Sequence, residues 1–172
     1  MKLPISALYK EIYKRFDELT PIPYDCGAMC GKLCCQGDDE SGMYLFPGEK
    51  SLFVGKENFS VLETEFSAGG KSVELLVCHG PCKREERPLS CRIFPLIPLY
   101  RKGSTLEIIL DPRASFCPLT HPEVAGYLDE RFIRELNYCF SVLVKIPAVA
   151  EFLDALSYIL EDYGKLDDVL SV

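Results

Sequence analysis

Four thiols fall within ten residues, Cys26, Cys30, Cys34 and Cys35, in the run Cys-Gly-Ala-Met-Cys-Gly-Lys-Leu-Cys-Cys. Spacings of four, four and one, with glycines at 27 and 31 that let the backbone wrap closely, suit thiolates converging on a soft metal. Adjacent residues do not easily reach one small ion. One of Cys34 and Cys35 is therefore expected to bind a second centre, to close the site from behind, or to stay out.

A second block reads Cys-His-Gly-Pro-Cys-Lys-Arg-Glu-Glu-Arg-Pro-Leu-Ser-Cys from Cys78 to Cys91. Cys78 and Cys82 bracket a Gly-Pro turn, a tight reversal that aims two thiols at one point. Cys91 arrives nine residues later, and Cys117, ahead of Pro118, is the eighth candidate ligand. The ninth cysteine, Cys139, sits on the apolar face of a predicted helix and is read as a core residue.

Charge supports this assignment. Between Lys71 and Lys102 there are seven Lys or Arg against three Glu, in a chain whose net charge is -7. Four thiolates on a divalent ion leave a double negative charge, and nearby guanidinium donors lower the cost of holding it. Arg87 and Arg92 are the candidates for that role, and Lys83 with Arg84 reads as a solvated basic loop. Of the two histidines, His121 reads as surface. His79, beside a candidate ligand, could be a ligand, a base or a bystander.

The 172 residues suffice for one domain, 1–172, with a sizeable core. A sequence pI near 4.9 opposes binding to nucleic acid or anionic lipid, since counterion release needs a basic surface. No apolar run reaches the length of a signal peptide or a membrane span, so a cytoplasmic protein is expected. In that compartment thiols stay reduced, and nine of them argue for metal or redox chemistry before disulfides.

Around the thiols the sequence predicts a simple frame. An amphipathic helix over 4–19 carries Ile5, Leu8, Ile12, Phe16 and Leu19 inward, and Pro21 and Pro23 stop it. Residues 37–42 read as a solvated polar turn, lacking the alternating ligands of a calcium loop. Short apolar runs between Met43 and Phe66 suggest irregular structure or short strands. A turn at Gly69-Gly70 leads to a buried strand over 73–77 that delivers Cys78, and another strand spans 105–110. From Thr120, with Glu123 in a capping-box pattern, a helix shows Ala125, Leu128, Phe132, Leu136, Cys139 and Leu143 on one face. A second helix from Pro147 buries Val149, Phe152 or Leu153, Leu156 and Leu160 and ends at Gly164. The two are expected to pair as an antiparallel hairpin, 120–164, over the cysteine-rich half. The expected class is α+β: an irregular, short-stranded, metal-centred core over 24–118, an N-terminal helix and a C-terminal helical hairpin.

These residues resemble the CxxCxxCC family, small bacterial and archaeal proteins regarded as zinc- or iron-chelating. Cys26, Cys30, Cys34 and Cys35 are similar to that family's opening cluster, with wider internal spacings than its name spells. The more specific match is Arg87-Pro88-Leu89-Ser90-Cys91-Arg92-Ile93-Phe94-Pro95, which resembles the signature Arg-Pro-x-x-Cys-Arg-x-aromatic-Pro. Cys78 and Cys117 correspond to an extra preceding cysteine and a late one. The resemblance covers about residues 24 to 118 and implies a metal-binding domain without supplying a substrate.

Three functions follow. Thiolates from both blocks could chelate zinc, structurally or in metal handling. They could instead hold an iron-sulfur cluster, 4Fe-4S by ligand count, in electron transfer or as an accessory to an enzyme. Thiol-disulfide chemistry through Cys34-Cys35 or Cys78 with Cys82 is the third, with no CxxC beside a βαβ pattern to favour it. No catalytic triad, phosphate-binding loop, dinucleotide fingerprint or HExxH appears, so an enzymatic reading has only the metal behind it.

Overall fold

The computed structural model describes residues 4–36, 41–80 and 82–170, the last five by backbone alone. The acidic turn read at 37–40 and the Pro81 half of the Gly-Pro turn lie outside these residues. The fold is α+β.

Helix α1 (Ile5–Asp17) follows Pro4, which occupies its N-cap position, and buries Tyr9, Ile12 and Phe16. Ile5 and Leu8 lie at the edge of that face. The chain then carries α2 (Cys26–Cys30) and a tight turn over Leu33–Cys35. Strands β1 (Gly42–Tyr44), β2 (Phe59–Ala68) and β3 (Lys71–Cys78) form an antiparallel sheet in the order β1-β3-β2. Gly42 lies so close to β3 that a Cβ on it would stand 2.2 Å from the Leu76 carbonyl oxygen, and only glycine permits that pairing.

Strand β2 was not expected. Its second half does alternate, with Thr64, Phe66 and Ala68 partly buried and Glu63, Glu65 and Ser67 exposed. Gly69 and Gly70 follow at φ +57° and +74°, two left-handed residues that suit a two-residue hairpin turn. The first half, Phe59 to Glu63, does not alternate, which hides the strand from a periodicity reading.

The short helix α3 (Leu89–Ile93) precedes a two-stranded antiparallel ladder of β4 (Leu96–Leu99) with β5 (Glu107–Leu110). The helix expected from Thr120 is divided. The Thr120 hydroxyl donates back to the Ala114 and Cys117 carbonyls at 3.2 and 2.8 Å, so it caps nothing ahead of it. His121 instead caps the one-turn α4 (Pro122–Ala125), and Asp129 caps α5 (Glu130–Leu143) by accepting from the Arg131 amide at 2.8 Å. Helix α6 (Pro147–Leu170) runs past Gly164. An interior glycine costs about 1 kcal/mol against alanine, too little to end a long helix.

The C-terminal helices lie over the strands of the 24–118 region. Helix α6 lies against β2, β4 and the turn Pro112–Ala114, and α5 against β5. Phe132, Leu136, Cys139 and Phe140 from α5 and Val149, Phe152, Leu153 and Leu156 from α6 join Tyr9, Phe16, Leu89 and Ile93 in one continuous core. A satellite cluster of Leu45, Phe53, Phe59 and Leu76 sits beside it, with Cys82 packed against it. Among the described residues no helix is long and apolar enough to cross a membrane.

Glu49 ties three elements together from a fully buried position in the turn Glu49–Leu52. Its carboxylate accepts from the Phe46 and Leu89 amides, both at 2.8 Å, and from the Tyr13 hydroxyl. Burial raises its pKa from 4.5 to about 6, against the opposing pull of those hydrogen bonds and of Arg92. The folded chain thus binds this proton more tightly than the unfolded chain. Stability from that proton is complete below pH 4.5 and is lost as pH rises through about 6.

Two results follow for denaturant unfolding. Glu49→Ala, which strands two buried amide donors, lowers the unfolding free energy by about 3 kcal/mol at pH 7. The stability difference between the wild type and Glu49→Gln moves by about 2 kcal/mol in favour of the wild type between pH 7 and pH 4.5. A difference that does not change with pH contradicts the assignment.

Candidate metal centre

The candidate thiols sit on or beside short elements and at the end of a strand. Helix α2 is nucleated by Asp25, whose carboxylate accepts from the Gly27 amide at 3.0 Å. One helical turn puts Cys26 and Cys30 on the same face, with the Cys30 thiol 3.5 Å from the Cys26 carbonyl. Gly31 and then Lys32 adopt left-handed backbone, φ 64° and 60°, and reverse the chain into the Leu33–Cys35 turn, where Cys34 and Cys35 are exposed. Cys78 closes β3, and Gly80 at φ 124° begins the turn towards Cys82. Cys91 rides on α3, and Cys117 stands between the turns Pro112–Ala114 and Pro118–Thr120. None of the nine cysteines is in a disulfide.

The thiols meet first in pairs. A hydrogen bond from Cys34 is the main cause that lowers Cys35 to a pKa of about 6, helped by the charges of Arg87 and Lys32. A hydrogen bond from Cys78 does the same for Cys82, again to about 6, with Arg87 contributing contact and charge. Their donors, Cys34 and Cys78, are pushed up, each holding the pair's remaining proton. Cys91 is raised by burial and by the negative charge of Cys82 and Cys35. Near neutral pH the site therefore carries a thiolate in each pair before any metal arrives.

A small cavity of about 40 Å³ opens beside these pairs, with Cys26, Cys30, Cys34, Cys91 and Cys117 on its wall together with Arg84 and Arg87. Its rim is apolar: Met29 and Phe116 are exposed, and Phe116 stacks on Phe94 at 5.8 Å between ring centres.

The three arginines of this region have different tasks. Arg87 bonds to Cys82, and that bond, winning over the burial of the guanidinium, raises its pKa. Its Nε–H is buried with no acceptor. Arg92 is 1% exposed and serves the backbone. It donates to the carbonyls of Arg87 at 2.8 Å, Glu85 at 2.8 Å and Tyr13 at 3.2 Å and pairs with Asp17, its guanidinium lying over the Tyr13 ring. Arg84, read from sequence as solvated, instead caps the end of α1 through bonds to the Phe16, Asp17 and Leu19 carbonyls. Neither this task nor that of Glu49 has a local sequence signal, because both are contacts between distant segments.

The remaining candidates fall outside the thiol group. His79 Nε2 pairs with the Ser60 hydroxyl at 2.6 Å, and His121 serves as a helix cap. Cys139 is buried in the core with its pKa raised to about 12 by burial.

Among the described residues no three His, Cys, Asp or Glu side chains stand close enough to hold an ion as they are. The donor set still fits a thiophilic metal: eight thiols from separate segments, two already poised as thiolates, and a buried Arg87 donor lacking an acceptor. Comparisons with protein-family models, with curated proteins and with solved structures give no match.

Alkylation checks the pairing. In the reduced, metal-freed protein at pH 7, iodoacetamide should modify Cys35 and Cys82 ahead of Cys34, Cys78 and Cys91, with rates rising through about pH 6. Peptide mapping by mass spectrometry reads the order, and uniform labelling of all five would contradict the pairing.

Proposed function

We propose that the protein is a zinc-binding protein whose cysteine thiolates, drawn from both blocks, hold residues 24–118 together, in a structural or metal-handling role. The observation that supports this most is the small cavity whose wall carries Cys26, Cys30, Cys34, Cys91 and Cys117, thiols from three separate stretches, together with Arg84 and Arg87. Bringing several partly charged thiolates together without a cation is unfavourable, and a divalent ion removes that repulsion while cross-linking the segments.

The magnitudes support a structural effect. Structural zinc in small peptides contributes about 10–16 kcal/mol, against a net stability of about 5–15 kcal/mol for a whole domain. The likeness to the CxxCxxCC family points the same way. Nine cysteines without a disulfide fit a reducing compartment, the cytoplasm in this reading. An iron-sulfur cluster draws on the same thiolates.

Elemental analysis of anaerobically purified protein should find stoichiometric zinc in a colourless sample. A chelator that removes the metal should lower the melting temperature by more than 10 °C, since about 5 kcal/mol moves a domain of this size by about 10–20 °C. Brown protein with broad visible absorption would replace zinc by a cluster, and metal-free protein of unchanged stability would overturn the proposal.

A further inference from the structure

Large apolar side chains reach solvent on two stretches that lie side by side. Met29 and Leu33 come from the first and Phe116 from the second, and all three line the thiol cavity. The Asp129 amide donates to the Pro21 carbonyl at 2.8 Å and fastens the same two stretches together. Tyr24 and Tyr127 stand within three residues of that bond and are more open still. Exposures are 70% for Tyr24, 63% for Met29, 38% for Leu33, 51% for Phe116 and 79% for Tyr127. At roughly 200 Å² for each large side chain, they place on the order of 600 Å² on this face, the upper end of what a monomer carries. Other exposed rings are partly covered: Arg15 lies over Tyr138 and Arg101 over Tyr158.

Charge thins out on the same stretches. Residues 20–36 and 114–128 hold three charged side chains, Asp25, Lys32 and Glu123, in a chain that is 26% charged. Depletion of charge around Tyr, Phe and Met marks the core of protein interfaces. It also selects the occupant. Two copies of a chain with net charge -7 repel across most of their surfaces, and these stretches, with one Lys against one Asp and one Glu, are where that repulsion is weakest. Asp25 and Lys32 are both exposed and opposite in sign, so a two-fold axis lets Asp25 of each copy face Lys32 of the other. A partner of strong charge, of either sign, finds little here to match.

We infer that the face formed by Tyr24, Met29, Leu33, Phe116 and Tyr127 pairs with the same face of a second copy of this chain, giving a two-fold dimer whose interface covers the thiol cavity. Two such faces bury about 1,200 Å², the lower bound for a stable specific interface, so the dimer is weak and depends on concentration. Because Met29, Leu33 and Phe116 also border the cavity, association replaces water at its rim with apolar side chains. The inference does not depend on what the thiols hold.

Sedimentation velocity of the reduced, as-purified full chain over a dilution series from about 100 µM tests it. A species of twice the 19.4 kDa chain mass should give way to monomer on dilution. Met29→Glu and Tyr127→Glu, one from each stretch, should each weaken dimerisation about tenfold or more with an unchanged circular dichroism spectrum. Val54→Glu, at an equally open position outside the face, should leave it unchanged. Monomer at every concentration overturns the inference. So does a dimer that ignores both face substitutions or that Val54→Glu weakens equally, since its interface lies elsewhere. A dimer lost on chelation while the chain stays folded is bridged by metal and overturns it as well. The metal content of the same sample, read separately, decides the zinc reading.

Discussion

A buried guanidinium holds the thiol-bearing end of this protein together. Arg92 has almost no contact with water, and taking a cation out of water costs several kcal/mol unless its donors are met. Here they are met by the Arg87, Glu85 and Tyr13 carbonyls and by the Asp17 carboxylate. Those bonds clamp the segment between Cys82 and Cys91 onto α1. Glu49 grips the same segment from the other side through the Leu89 amide. These two buried charges act together with Leu89 and Ile93 in the core to fix α3 and its Cys91.

The same segment concentrates positive charge in an acidic protein, and the structure gives each guanidinium separate work. Arg84 finishes α1, Arg92 fixes backbone, and Arg87 faces sulfur. A cationic focus within a chain of net charge -7 suits neighbouring thiolates. The pairing of thiols, one lowered and one raised, follows from hydrogen bonding between neighbours under that positive field.

Elements whose burial repeats at a helical period were legible in the sequence. The inward faces of α1, α5 and α6 match the periodic residues, with Val149, Phe152, Leu153, Leu156 and Leu160 all buried. Boundaries set by local chemistry were harder. Thr120 and Glu123 looked like a capping pair, but the Thr120 hydroxyl found nearer carbonyls and Asp129 became the working cap. Strand β2 was obscured by its non-alternating first half, and Gly164 costs too little to end α6. For the site, the choice of eight cysteines as candidates came from spacing alone. The roles of Arg84, Arg92 and Glu49 did not, because long-range hydrogen bonds leave no periodic trace.

The most direct test of thiolate metal binding is X-ray absorption at the zinc edge on the anaerobically purified protein. The account predicts a shell of about four sulfur atoms at about 2.3 Å with no nitrogen or oxygen contribution. A shell dominated by nitrogen and oxygen would contradict it, since then the metal sits elsewhere than among these cysteines.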